Sequence, residues 1–367
     1  MKIKEIKVWD SFASFRRGPY VNSKVSRRAV RGRLLEFHTT DGWFGSGEIV
    51  FPLSLPLDQQ RRMVSEEQYY LSALIGQDLD SLMYAAERYR GWGRSWSSVA
   101  FAIETAWYDL SGKVKGVPLY ELLGGSVRLS VDDYLSVSEP SIKHVRDRLK
   151  AGDLSRKVIQ LKLGIGSLSD DVEQVALVLN HLTNTQTLLA DANGKWSVGQ
   201  ACEVISKFDD PRVIWEEPCS VYEENTEVAD LTGKAVMVDQ CVGEVVLAKR
   251  AAVDGVVSSL TIKPAYLGGL SVAHDVRNYC VSLGMKMRID GPWCGDIAAA
   301  AILHLAVGVP AELLIASCDL REPLDRRVDL RGVIQLGDNL ISPPRGPGLG
   351  IEPLDRAMGD PEVTYSI

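Results

Sequence analysis

Six apolar, β-branched runs in the middle and later parts of the chain each end on a lysine or an acidic residue: Lys162, Asp191, Glu216, Asp239, Lys263 and Asp290. The intervals between these residues are 23 to 29 positions, the length taken by a strand, a loop, a covering helix and a return loop. Turn and helix lengths vary from unit to unit, so the spacing predicts consecutive βα units of a parallel barrel and not a solenoid of copied repeats. Eight strands are expected, over residues 129–137, 158–162, 187–191, 213–216, 235–239, 256–263, 286–290 and 313–318. Each named residue then lies at the C-terminal end of its strand, on the rim where such barrels carry their chemistry.

The 367 residues exceed one barrel of ~250, so a second, smaller domain is expected. Residues 2–9 and 33–39 alternate in hydrophobicity, and Asp41-Gly42 is a hairpin signal leading into 43–50. Residues 58–75 and 80–90 read as amphipathic helices and 97–113 as a strongly apolar one. The chain is therefore expected to be α/β: a modified TIM barrel (β/α)7β with an α+β capping domain formed by the N-terminal region and the C-terminal tail. The expected divisions are 1–127 for the cap, 128–321 for the barrel and 322–367 for a tail that carries a strand at 333–336 and returns to the cap.

A net charge of −7 argues against a nucleic-acid or anionic-membrane surface, either of which needs a basic excess. Six scattered cysteines lack metal or disulfide spacing, the first residues alternate like a strand and not like a signal peptide, and no apolar run is long enough to cross a bilayer. A cytoplasmic enzyme with reduced thiols is expected, without nucleic-acid or membrane partners.

Side chains from neighbouring strand ends converge on the barrel axis, where three carboxylates repel one another unless a cation sits among them. Oxygen ligation by Asp191, Glu216 and Asp239, with no nearby His or Cys pattern, suits Mg²⁺ or Mn²⁺ over Zn²⁺. Glu217 is the alternative to Glu216, and strand phase decides between them. Lysines at strand ends are unusual, because hydrated ammonium groups normally sit in solvent. Burial beside a divalent ion should lower the pKa of Lys162 and Lys263 toward ~7–8, a range suited to proton transfer.

Motifs over nearly the whole chain resemble the enolase superfamily. Asp41-Gly42-Trp43-Phe44-Gly45-Ser46-Gly47-Glu48, Ile103-Glu104-Thr105-Ala106-Trp107-Tyr108-Asp109-Leu110 and Pro118-Leu119-Tyr120-Glu121-Leu122-Leu123-Gly124-Gly125 resemble motifs of its first domain. Ala190-Asp191-Ala192-Asn193, Trp215-Glu216-Glu217-Pro218 and Val238-Asp239-Gln240 resemble its three ligand motifs, and the match selects Glu216. Ile262-Lys263-Pro264 resembles the sixth-strand lysine of the muconate-lactonizing subgroup. That subgroup usually has Lys-x-Lys where this chain has Gln160-Leu161-Lys162, and no His ends the seventh strand as it does in the mandelate type. Gln160-Leu161-Lys162, Glu217-Pro218-Cys219 and Trp293-Cys294-Gly295-Asp296 are similar to a branch of proline-betaine epimerases and cis-3-hydroxyproline dehydratases. The second acidic residue usual after the position of Asp290 is replaced here by Gly291-Pro292.

The resemblance implies a metal-assisted isomerase or lyase that removes the α-proton of a carboxylate or amino-acid substrate, giving an enediolate intermediate. Lys162 and Lys263 are the implied proton-transfer groups, and Gln160, Asn193 and Gln240 support the ligands. Asp290, Trp293, Asp319, Tyr20 and Phe51 are the expected substrate contacts. Epimerisation or racemisation of a proline-type cyclic amino acid or its betaine is the first expectation. Cis-3-hydroxy-L-proline dehydration is the second; a cycloisomerase, a dipeptide epimerase or a non-catalytic barrel follows. Members of such a family commonly assemble as homo-oligomers.

Overall fold

The computed structural model describes residues 1–151, 156–318, 324–325 and 340–366. Eight parallel strands pair in chain order from Tyr134–Val137 to Leu314–Ser317, with helices packed outside them. Val158–Lys162, Thr187–Asp191 and Val213–Glu216 occupy the expected spans. Val236–Val238, Ser259–Ile262 and Lys286–Ile289 are shorter than expected, so Asp239, Lys263 and Asp290 are each the first residue beyond a strand. These strands are apolar and buried on both faces, as parallel strands covered by helices must be.

The first barrel strand differs from the expectation of one run over 129–137. Only Tyr134–Val137 joins the barrel, while Val131–Asp132 pairs antiparallel with Leu340–Ile341 of the tail. Between them Asp133 is fully buried, 3.4 Å from Arg156. Satisfying that carboxylate and capturing the tail both favour a break over a continuous strand. The helix read over 58–75 is likewise two, Leu57–Ser65 and Glu67–Ser72. The strand expected at 333–336 lies outside the described residues.

The cap is an antiparallel sheet in which Ile3–Phe15 pairs with Ala29–Thr39, with Leu324–Asp325 and with Val363–Ser366, and Ala29–Thr39 pairs with Phe44–Phe51. The helix Ser97–Lys115 is buried around nearly its whole circumference, between this sheet and the barrel. Gly45 and Gly47 make that packing possible. A Cβ at either would come within 2.5 or 2.0 Å of the helix carbonyls of Ala106 or Ala102, so the alternating glycines let backbone meet backbone.

Buried acids tie the two parts together. Glu104 accepts a 2.7 Å hydrogen bond from the Ser271 amide in the first turn of the barrel helix Leu270–Ser282, and another from Arg90. Glu48 accepts from the amides of Gly295 and Ala298, at 2.7 and 3.0 Å, at the start of the barrel helix Asp296–Ala306. Asp109 accepts from Ser46 and from Leu349 of the tail. Glu104 and Glu48 thus satisfy amides that the barrel helices leave unbonded at their N-termini, where the helix dipole also favours negative charge, while Asp109 ties the tail to the cap. Among the described residues no helix is long and apolar enough to cross a membrane.

Candidate active site

Strand register gathers the charged residues at one end of the barrel. Lys162, Asp191 and Glu216 are consecutive partners across the second, third and fourth strands. The fifth strand continues the row at Met237, and the two-residue side-chain period puts Asp239 on the same face. Thr261 pairs with Arg288, so the same period places Lys263 beyond Thr261 and Asp290 beyond Arg288. Lys162 and Lys263 stand four strands apart and line opposite sides of a cavity of about 780 Å³.

Each carboxylate has its own cation. Lys162 Nζ lies 2.5 Å from Asp191 Oδ2, and Lys263 Nζ lies 2.6 Å from Asp239 Oδ2. Arg288 forks onto Glu216, Nη1 reaching Oε2 at 3.0 Å and Nη2 reaching Oε1. Gln160 Nε2 donates to Glu216 at 2.8 Å and to Asp191 at 3.2 Å. Asn193 donates to Asp191 through its amide and its side chain, and Gln240 donates to Asp239 at 2.8 Å. Glu217, in the left-handed region at φ 43°, turns away to accept from the Asp239 amide at 2.5 Å and the Cys241 amide at 2.7 Å. It therefore fixes the turn that carries Asp239, while Glu216 projects into the barrel.

Burial and mutual repulsion set the electrostatics. Desolvation, with Glu216 nearby, pushes the Asp191 carboxyl up to about 6 against the pull of Lys162. Glu217 is pushed up to about 8 by burial and by Asp239. Asp239 is held below the ordinary carboxylate value: burial opposes its charge, but Lys263 and Arg288 outweigh burial. The lowering expected of the two lysines belongs to a site that holds a divalent ion, and the lysine–carboxylate pairs by themselves act in the opposite direction. Burial does oppose their charge, yet Asp191 and Tyr20 at Lys162, and Asp239 at Lys263, hold both ammonium groups above their ordinary value.

These pairings also bear on metal binding. Among the described residues no three acidic, His or Cys side chains are gathered about one point; Lys162, Lys263 and Arg288 instead each pair with one of the three carboxylates. Asp191 and Glu216 sit behind the cavity wall, whereas Asp239, Arg288 and the lysines face it. The donor chemistry nevertheless fits a hard divalent ion. Asp239 Oδ1 and Asn193 Oδ1 are buried without a hydrogen-bond partner. Asp191 Oδ1 and Glu216 Oε1 each accept one hydrogen bond, which leaves each a free lone pair.

The other expected contacts divide. Tyr20 and Trp293 meet edge to face with ring centroids 5.4 Å apart, Phe15 stacks on Tyr20 at 5.5 Å, and the Tyr20 ring lies 6.0 Å from Lys162 Nζ. Phe51 lines the cavity from the cap. Asp290 lines it too, but accepts a 3.0 Å hydrogen bond from the Tyr134 hydroxyl and lies 3.4 Å from Arg288 Nε. Asp319 lies outside the described residues. Arg288, Tyr134 and Tyr266, whose ring is 5.5 Å from Lys263 Nζ, were not read from the sequence as site residues. Arg288 is two positions before Asp290, so the phase that turns Asp290 inward turns Arg288 inward as well; Tyr134 and Tyr266 have no comparable signal.

Residues 142–357 match the family described as enolase C-terminal domain-like, and residues 5–124 match the mandelate racemase/muconate lactonizing enzyme N-terminal domain. The chain is 29% identical to cis-3-hydroxy-L-proline dehydratase of Roseibium aggregatum over the full length of both proteins. It is 27% identical to L-Ala-D/L-Glu epimerase of Clostridium acetobutylicum, over 70% of this chain and 72% of that one. A solved enolase-superfamily member from Roseovarius nubinhibens, complexed with magnesium, superposes with a TM-score of 0.81 over the whole of both chains at 25% identity. With the barrel and cap described above, these matches show that the chain belongs to the muconate-lactonizing subgroup of the enolase superfamily and is an isomerase or lyase.

Proposed function

We propose that this protein removes the α-proton of a cyclic amino-acid carboxylate, with Lys162 and Lys263 as the two proton-transfer groups. The observation that carries this reading is the pair of buried lysines on opposite sides of one cavity, each held against a carboxylate at a strand end. Asp191, Glu216 and Asp239 would hold Mg²⁺ or Mn²⁺, supplying positive charge for the carboxylate as it gains a second negative charge. Gln160 and Asn193 orient Asp191, Glu217 and Gln240 orient Asp239, and Arg288 orients Glu216. Tyr20, Trp293 and Phe51 form an apolar wall that excludes water on the Lys162 side. Asp290 faces the substrate and is held in place by Tyr134 and Arg288.

In cis-3-hydroxy-L-proline the α-hydrogen and the hydroxyl lie on opposite faces of the ring. A neutral lysine on one side can take the hydrogen as a protonated lysine on the other assists departure of the hydroxyl, so water is lost. The full-length similarity to a dehydratase of that substrate supports this outcome. The second reading, epimerisation of a proline-type amino acid or betaine, has the same opposed lysines as its support: one takes the proton and the other returns one to the opposite face.

Proton NMR in D₂O with Mg²⁺ tests both, using cis-3-hydroxy-L-proline, the 4-hydroxyproline isomers, proline and proline betaine. Loss of the Cα–H signal with a changed skeleton indicates dehydration, and loss with an unchanged skeleton indicates epimerisation. Absence of exchange in every substrate would refute the cyclic amino-acid reading.

A further inference from the structure

We propose that Arg288 is a resident counter-ion, a positioning residue that stabilises the carboxylate cluster in the absence of a divalent ion and limits how tightly such an ion binds. This rests on the reading that Asp191, Glu216 and Asp239 hold the ion. Arg288 comes from within the seventh strand, not from its end, and is only 1% exposed. Its guanidinium forks onto Glu216, lies 4.0 Å from Asp239 Oδ2 and 3.4 Å from Asp290 Oδ2, and sits 5.3 Å from the centre of the Tyr134 ring. One cation thus spans a carboxylate of the fourth strand, another just after the fifth and a third just after the seventh.

The partition of charge makes Arg288 hard to replace. Lys162 serves Asp191 and Lys263 serves Asp239, whereas the cation paired with Glu216 is Arg288 and its other donor is the neutral Gln160. Glu216 is fully buried, so without the guanidinium its charge would keep the neutral Gln160 as a hydrogen-bond donor and Lys162 as a cation acting through space, with no water to replace the fork. The planar fork fills both carboxylate oxygens in a way that an ammonium group cannot. Arg288 also borders the cavity while Glu216 lies behind it. The guanidinium keeps its proton at neutral pH and so remains positive beside an incoming ion, opposing it at short range in a poorly screened interior. Stability of the empty cluster and tight metal binding therefore act against each other through one side chain.

Calorimetric titration with Mg²⁺ and with Mn²⁺ alone, together with thermal melting of the full chain in EDTA and in saturating Mg²⁺, tests this. R288M should bind Mg²⁺ at least ten-fold tighter than the native chain and melt several degrees lower in EDTA, with Mg²⁺ closing the gap. R288K, which keeps the charge without the fork, should bind within about three-fold of native and melt between the two. Equal or weaker Mg²⁺ binding by folded R288M, or native-like melting in EDTA, overturns the proposal. Should R288M fold in neither condition, R288K decides: ten-fold tighter binding by R288K would overturn it, and native-like affinity would support it. A native chain that binds no Mg²⁺ refutes the metal reading instead, leaving the melting in EDTA to judge the counter-ion.

Discussion

Glu48→Gln tests whether the cap holds the active-site rim through a buried charge. Glu48 is 2% exposed and accepts hydrogen bonds from the Gly295 and Ala298 amides at 2.7 and 3.0 Å, just after the loop that carries Trp293. Glutamine keeps one acceptor oxygen and turns an NH₂ donor toward the other amide. One buried N–H then loses its partner, at a cost of ~1–3 kcal/mol, and the helix N-terminus loses a favourable charge worth about 1 kcal/mol. The variant should therefore be ~2–4 kcal/mol less stable to urea, and hydrogen exchange at Gly295 and Ala298 should accelerate. A stability loss under ~0.5 kcal/mol with unchanged exchange would show that the rim is held by packing alone, and the argument from Glu48 would fail.

Lys162→Ala and Lys263→Ala should each lower turnover by ~10²–10⁴, the usual contribution of a positioned acid or base, with the fold retained by circular dichroism; full activity in either would remove that lysine from the reaction. Asp239→Asn should weaken Mg²⁺ binding at least ~10-fold in calorimetric titration, and unchanged affinity would exclude Asp239 as a ligand. His304 is fully buried, donates from Nε2 to the Leu349 carbonyl at 3.3 Å, and is pushed by burial from 6.5 down to about 4. The unfolded chain takes up this proton near pH 6.5 and the native chain only near pH 4, so stability is complete above 6.5 and is lost as pH falls through that window. The slope is ~1.4 kcal/mol per pH unit, about 2 kcal/mol between pH 6.5 and 5. Urea unfolding of His304→Gln should lack that component; an identical pH slope in both proteins would refute it.

The sharpest sequence signals were the strands whose two faces are both buried. Val158–Lys162, Thr187–Asp191 and Val213–Glu216 end where their apolar runs end, because each carries its charged side chain at the rim. The first strand was misread because the break at Asp133 depends on Arg156 and on pairing with a tail about 200 residues away. Arg288 carries no strand-end signal, because it lies within the seventh strand, one layer below the rim.

Residue spacing and motif chemistry by themselves determined a parallel barrel, the family, and which acids and lysines stand at its strand ends. Those features follow from periodicity and from the chemistry of individual side chains, both local properties of the chain. Tertiary structure decided which charges pair. Arg288 meets Glu216 across three strands, Tyr134 meets Asp290, and Glu48 and Glu104 satisfy helices of the barrel from the cap. The physical reason is distance: Coulomb energy and hydrogen-bond geometry depend on separations of a few ångströms, and residues far apart in the chain acquire those separations only when the barrel curls and the cap docks.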